Sequence, residues 1–118
     1  MRSTLAVTTA LLLLLGIGVA EAADPTMLAQ TAGFLLGNAH RCGVPDERVE
    51  RAGKVIHDMI VAAAYDPREA AAAGSRFDEM FLASAFPNQD PEALIPSCAV
   101  VVTQFYRLEQ HHQQAGMY

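Results

Sequence analysis

Basic residues are scarce in this sequence: eight lysines and arginines stand against thirteen acidic residues, which gives a net charge of −5 at pH 7. Nucleic-acid binding needs a basic surface, so this charge balance argues against it. Charged residues make up only 18% of the 118 residues, hydrophobic ones make up 52%, and tryptophan is absent. This composition is typical of a globular chain rather than a disordered or fibrous one, and the length holds a single domain.

Catalytic and cofactor-binding motifs are also absent. The chain contains no nucleophile elbow, no phosphate-binding loop and no dinucleotide-binding fingerprint. Its later serines, Ser75, Ser84 and Ser97, lie in no recognisable catalytic context. We therefore predict no enzymatic activity and no cofactor.

The longest hydrophobic run lies at the N-terminus, within the three parts of an export signal. Arg2 supplies the positive charge, Leu5 to Val19 form the apolar run, and Ala20-Glu21-Ala22 form a small-x-small cleavage site. The run of about 15 residues is shorter than the roughly 20 that a membrane-spanning helix needs. We predict a signal peptide over residues 1–22, and an exported domain over residues 23–118 in the periplasm or outside the cell, without a stable membrane anchor.

The chain has two cysteines, Cys42 and Cys98, which are 56 positions apart. In an oxidising compartment such a pair forms a disulfide, whereas in the cytosol it would be read as buried thiols or site residues. Export therefore predicts a Cys42–Cys98 disulfide. Closing a loop of this size would stabilise the fold by about 4 kcal/mol in the chain-entropy model.

Helix start signals and apolar residues at helical spacing predict two helices in the first half of the domain. Asp24-Pro25 begins the first helix and Gly43 ends it, and the second helix begins at Pro45. The apolar stripe of the first helix is Leu28, Ala32, Leu35, Ala39 and Cys42. The stripe of the second is Val49, Ala52, Ile56, Met59 and Ala63.

Two more helices are predicted in the second half. The third begins at Asp66-Pro67 and reaches about Phe86. Three prolines between 87 and 96 exclude a long regular element there, although one helical turn from Asp90 through Ile95 is allowed. Ser97 caps the fourth helix, and residues 113–118 are expected to fray. Its apolar stripe is Cys98, Val101, Phe105, Leu108 and His112.

The cysteine positions and the four helices predict one topology. In an up-down four-helix bundle, the C-terminal end of the first helix and the N-terminal end of the fourth lie together. Cys42 and Cys98 occupy those two ends. The predicted fold is therefore all-α, a small up-down four-helix bundle pinned by one disulfide. Gly33 and Gly37, four residues apart, would allow another helix to approach the first one closely, and we expect that helix to belong to the same domain.

His57-Asp58 on the second helix resembles the His-Asp pair of secreted phospholipase A2. That resemblance implies hydrolysis, but the family also has several cysteines and a glycine-rich calcium loop before the pair. Residues 44–56 contain neither. A hydrolase that uses His57 and Asp58 is therefore the alternative hypothesis, and an exposed histidine beside an acidic residue is the favoured interpretation.

The histidines near the C-terminus suggest a metal site as a third hypothesis. Glu109 and His112 are three residues apart, so both project from one helix face, and His111 and His40 are further candidate ligands. Metal sites in carboxylate-bridged bundles take this motif from two helices together with further glutamates, whereas this chain has the motif once. Adjacent histidines on a helix point about 100° apart and seldom share an ion. We therefore predict no metal site.

A signal peptide followed by short helices with two cysteines about fifty residues apart resembles the layout of small periplasmic bacterial proteins. Acid-stress chaperones and immunity proteins against exported toxins share this layout. The resemblance is one of arrangement, without a family motif, and it implies a binding role. We therefore expect a non-catalytic exported protein that binds another protein or a small ligand.

Overall fold

The computed structural model describes residues 24–89 and 94–114, and within them it contains four α-helices, one short 3-10 turn and no strand. The helices are α1 (Pro25–Arg41), α2 (Asp46–Ala63), α3 (Pro67–Ala85) and α4 (Cys98–Gln114), and the 3-10 turn is Pro87–Gln89. The all-α prediction is confirmed. The predicted signal peptide, residues 1–22, lies outside the described residues. None of the described helices has the length and apolar character that a membrane span requires.

The predicted start signals act as expected in α1 and α3. The Asp24 carboxylate accepts hydrogen bonds from the backbone N–H groups of Thr26 and Met27, and the Asp66 carboxylate accepts one from the N–H of Glu69. These bonds satisfy amide groups that have no partner within the helix. Helix α2 begins at Asp46, one residue later than predicted, because Pro45 has the extended ψ of 141° and takes the cap position.

The C-terminal half differs from the predictions in two details. Leu94 and Ile95 are not helical, so the helical turn that the sequence allows from Asp90 does not extend through Ile95. Residues 90–93 of that turn lie outside the described residues. Helix α4 continues through Gln114, so residues 113 and 114 are helical rather than frayed. Residues 115–118 are not described.

Helix α1 is the centre of the bundle and packs against each of the other three helices. Because three helices surround it, ten of its 17 residues are buried. This is more than the single apolar stripe that the sequence pattern predicts. The buried set includes two glycines and a polar residue: Pro25, Leu28, Ala29, Ala32, Gly33, Leu35, Leu36, Gly37, Asn38 and Ala39.

The two glycines of α1 allow a close helix contact, and it is made with α3 in the same domain, as predicted. A Cβ atom on Gly33 would lie 2.7 Å from the carbonyl oxygen of Phe77, and one on Gly37 would lie 2.4 Å from that of Phe81. Real Cβ atoms do not approach other heavy atoms this closely. Glycine at both positions is therefore what allows α1 and α3 to pack backbone against backbone.

Buried apolar side chains form two clusters along α1. The first joins α1, α2 and α4 near the disulfide: Leu35, Leu36, Ala39, Val44, Val49, Ala52, Val101, Phe105 and Leu108. The second joins α1, α2 and α3: Leu28, Ala29, Ala32, Ile56, Ile60 and Ala73. The half-buried ring of Phe77 packs against both clusters and connects them.

Candidate functional site on α4 and at the disulfide

The predicted disulfide is present between Cys42, directly after α1, and Cys98, the first residue of α4. Their Cα atoms are 5.5 Å apart, within the range that a disulfide requires. The two sulfurs have different surroundings: Cys42 is half-buried and packs against the first apolar cluster, whereas Cys98 is exposed. The bond therefore fixes the start of α4 to the end of the central helix.

An arginine beside the disulfide strengthens this connection. The Arg41 guanidinium donates to the Asn38 side-chain oxygen over 2.9 Å and to the Pro96 carbonyl oxygen over 2.8 Å, and its third nitrogen lies 3.6 Å from the Cys98 sulfur. Asn38 is 1% exposed and donates to the Phe34 carbonyl oxygen over 2.9 Å. The sequence alone does not predict this network, because Asn38, Arg41 and Pro96 form no recognisable motif.

The second half of α4 is held by a largely buried ion pair. The Arg48 guanidinium on α2 contacts both carboxylate oxygens of Glu109, with Nε to Oε2 at 2.9 Å and a second bond from Nη2 to Oε1. The Glu109 side chain is 9% exposed and that of Arg48 is 38% exposed. The guanidinium carbon also lies 5.6 Å from the centre of the Phe105 ring, which places the cation against a fully buried aromatic side chain.

His112 lies one turn after Glu109 on the inward face of α4 and is 1% exposed. Burial, and in smaller part the neighbouring His111, lowers the pKa of its imidazole below 6.5.

Glu109 and His112 do share a face, as the sequence predicts, but both oxygens of Glu109 already accept hydrogen bonds from Arg48. His40 is elsewhere, 3.3 Å from an oxygen of Asp46. Within residues 24–89 and 94–114, no three His, Cys, Asp or Glu side chains are grouped to hold a metal ion.

The buried imidazole predicts a pH dependence of stability. A histidine whose pKa is lowered in the folded state stabilises the fold above pH 6.5, and this contribution is lost as the pH falls below 6.5 through the lowered pKa, because the unfolded chain binds the proton first. The loss of unfolding free energy between pH 7.5 and pH 5 should be smaller in a His112→Gln variant than in the wild type, measured by urea denaturation.

The control for this pH experiment is His57→Gln, which changes an exposed histidine on α2. This variant should keep the pH dependence of the wild type. Equal losses in the His112→Gln protein and the wild type would contradict the prediction.

The second predicted pair, His57 and Asp58, is exposed on α2. A shallow cavity of about 210 Å³ beside it is lined by Val55, Asp58, Met59 and Ala62, and His57 is not among these lining residues. No serine or cysteine side chain lines this cavity in the described part of the chain. His57 lies on the side of α2 that meets α3, where a Cβ atom on Gly74 would be 3.9 Å from its Cε1 atom.

The outward side of α4 carries apolar residues in addition to those of its buried side. Val100, Val102 and Tyr106 are 50%, 43% and 56% exposed, and Ala99 and Thr103 are exposed beside them. We call these five residues the α4 outer face. An amphipathic helix of a soluble domain normally has charged and polar residues on its solvent side, so a second apolar face is a candidate interaction surface.

The fold and these features define a class: an all-α, four-helix domain with one disulfide that ties its fourth helix to its first. No protein-family model, no curated protein and no solved structure matches the chain. Its function has to be inferred from its own residues.

Proposed function

We propose that this chain is an exported, non-catalytic binding protein that binds another protein through the α4 outer face. The observation that carries the proposal is the concentration of exposed apolar residues in one segment. Of the ten large hydrophobic side chains exposed in the described residues, five lie between positions 94 and 106. These five are Leu94, Ile95, Val100, Val102 and Tyr106.

The charge distribution supports this choice of surface. Between positions 98 and 110, α4 carries two charged residues, Arg107 and Glu109, and Glu109 is buried against Arg48. One charge is therefore left on the solvent side. The exposed side of α2, by contrast, is strongly charged, as expected for a face that stays in water: Asp46, Glu47, Glu50, Arg51, Lys54 and Asp58. On a chain with a net charge of −5, the α4 outer face is a surface that a partner can cover at a low desolvation cost, because it carries few charges.

Helix α4 is also held firmly enough to act as a preformed binding element. The disulfide fixes its first residue, Phe105 and Leu108 anchor its middle, and the bond from Arg48 to Glu109 fixes its second half. A helix that is ordered before binding does not lose further backbone entropy when the partner arrives. A preformed helical face is typical of protein recognition, whereas small ligands bind in enclosed pockets. The cavity of about 350 Å³ on this face, lined by Ala99, Val100, Thr103, Gln104 and Arg107, is open to solvent.

Export is the second part of the proposal. A disulfide in so small a domain is typical of an oxidising compartment, and residues 2–22 have the charge, apolar run and cleavage motif of a signal peptide. Expression of the full chain in a bacterial host, followed by mass spectrometry of the periplasmic and secreted fractions, should yield a protein that begins at Ala23 or Asp24. Recovery of the intact chain from membranes would contradict this part.

Site-specific photocrosslinking of the exported protein in its producing cells tests the binding surface. We expect p-benzoylphenylalanine in place of Tyr106 to give a discrete crosslinked species, and Val102→Lys to remove that species. The matched control is the same replacement at Tyr65, an aromatic residue that is 94% exposed on the connection between α2 and α3. Equal crosslinking at Tyr65 would indicate non-specific contacts of exposed aromatic residues and would contradict the proposed surface.

A second substitution tests whether Val102→Lys acts through its position on α4 or only through the added positive charge. Val61→Lys places the same charge at an exposed valine of α2, 53% exposed, and should leave crosslinking from position 106 unchanged. The hydrolase that uses His57 and Asp58 and the metal-binding protein remain alternative hypotheses from the sequence, and no contact among the described residues favours either of them over the binding role.

A further inference from the structure

We infer that Cys98 is a site of covalent modification: in the reduced, folded protein, a small-molecule disulfide forms a mixed disulfide with Cys98 and not with Cys42. The inference concerns the thiol chemistry of the cysteine pair and does not depend on the proposed binding surface. It rests on differences in access, helix position and charged neighbours between the two sulfurs.

Access differs first. Cys98 is exposed at the start of α4, whereas Cys42 is half-buried and packs against the cluster that contains Leu36 and Phe105. In thiol–disulfide exchange the attacking sulfur and the two sulfurs of the reagent lie in line. The reagent therefore needs open space in front of the attacking sulfur. Cys98 is the more accessible residue of the pair.

Helix position also favours reaction at Cys98. Cys98 is the first residue of α4, after Ser97, whose side chain accepts from the N–H of Val100. The N-terminal end of a helix carries a partial positive charge, which stabilises a thiolate. Cys42 directly follows the C-terminal end of α1, where the partial charge is negative and a thiolate is disfavoured.

Arg41 adds a full positive charge on the same side. Its guanidinium nitrogen lies 3.6 Å from the Cys98 sulfur, and its bonds to Asn38 and Pro96 hold it there. A neighbouring arginine favours the thiolate, which is the nucleophile in exchange reactions. Arg41 is therefore a positioning residue: it acts through the charge of Cys98 and makes no bond to the reagent.

The reagent oxidises the cysteine pair in two exchange steps. The Cys98 thiol gives its proton to solvent, and the thiolate attacks one sulfur of the reagent; the reagent's S–S bond breaks, one thiolate leaves and takes up a proton, and a mixed disulfide forms on Cys98. The Cys42 thiol then loses its proton, and its thiolate attacks the Cys98 sulfur and expels the second thiolate. Both cysteines are oxidised and the reagent is reduced to two thiols. The 5.5 Å between the Cα atoms allows the second step without a large movement of the backbone.

Oxidised glutathione tests the inference on two single variants, each with one remaining thiol. The Cys42→Ser protein leaves Cys98 to react, and the Cys98→Ser protein leaves Cys42. Under native conditions at low temperature, the rate of glutathionylation measured by mass spectrometry should be about tenfold or more higher for Cys98, since a positive environment can move most of a thiol into its thiolate form. In concentrated urea the two rates should become similar.

Circular dichroism first establishes that both variants are folded. Should either be unfolded, the wild-type protein replaces the pair: it is reduced, mixed with oxidised glutathione, quenched with acid after short times and mapped by peptide mass spectrometry. The first adduct should then lie on Cys98. Native rates that are equal, or faster at Cys42, would overturn the inference, as would a first adduct on Cys42 in the wild type.

The role of Arg41 has its own matched control. Arg41→Gln in the Cys42→Ser background should slow glutathionylation of Cys98 several-fold, and Arg41→Lys should restore part of the rate because it keeps the charge. Arg107→Gln removes an exposed positive charge elsewhere on α4 and should leave the rate unchanged. A similar small effect of Arg41→Gln and Arg107→Gln would show that the contact with the sulfur does not set its reactivity.

Discussion

Replacing both cysteines, as Cys42→Ala and Cys98→Ala, should lower the free energy of unfolding by about 2–5 kcal/mol, the usual cost of losing a native disulfide in a small secreted domain. In a domain of this size each kcal/mol shifts Tm by several degrees, so Tm should fall by about 10 °C or more. The physical reason is that the unfolded chain regains the freedom of a loop of 56 positions. Urea and thermal denaturation followed by circular dichroism measure both quantities.

The control for this prediction is a reductant. It should destabilise the wild type by a similar amount and leave the double variant unchanged, because that variant has no disulfide to lose. A wild-type Tm that does not respond to the reductant, together with alkylation of both cysteines in the unfolded, unreduced protein, would contradict the prediction.

The second large effect is expected at the contact between α1 and α3. Gly37→Ala should lower the free energy of unfolding by about 1–3 kcal/mol, the typical cost of overpacking, although alanine is by itself a better helix former than glycine. The new Cβ would lie 2.4 Å from the Phe81 carbonyl oxygen and 2.8 Å from the Ser84 Cβ, so the two backbones must move apart. Urea denaturation measures the loss.

Gly53→Ala in α2 is the matched control. Its new Cβ would lie 3.7 Å from a terminal methyl carbon of Leu36, an ordinary contact distance, so helix propensity decides the outcome. This variant should be up to about 1 kcal/mol more stable than the wild type. A Gly37→Ala protein that is as stable as the Gly53→Ala protein would show that α1 and α3 are not in the close contact described here.

Helix boundaries were largely predictable because their causes are local. Asp24-Pro25 and Asp66-Pro67 start helices through bonds that span two or three residues, and Gly43 ends α1 with a φ of 89°, which glycine adopts without strain. The predicted start of α2 is wrong by one residue, because a proline can act either as the cap or as the first helical residue, and Pro45 is the cap. Whether α2 begins at Pro45 or at Asp46 depends on the ψ angle of Pro45 alone.

The candidate surface and the polar network were less predictable because they depend on contacts between distant residues. Arg41 and Pro96 are 55 positions apart, and Arg48 and Glu109 are 61 apart, so no local pattern connects them. The α4 outer face had a partial signal in the run Val100 to Val102, which places apolar residues on both sides of a helix. The stripe through Phe105 and Leu108 indicates which side is buried, whereas no pattern in the sequence assigns a role to the apolar residues on the other side.

The helical class and the cysteine pairing followed from the sequence alone, because the first rests on local hydrogen bonding and apolar spacing and the second on the existence of only two cysteines. Export stays a prediction of the N-terminal sequence. The packing required the folded chain. Three helices surround α1, Gly33 and Gly37 lie against the backbone of α3, and α4 buries one apolar face while exposing another. The physical reason is that the burial of a residue depends on which residues lie around it in the folded chain. An apolar stripe predicts that a helix packs against another helix. Which helix covers the stripe, and which face stays exposed, depends on the arrangement of all four helices.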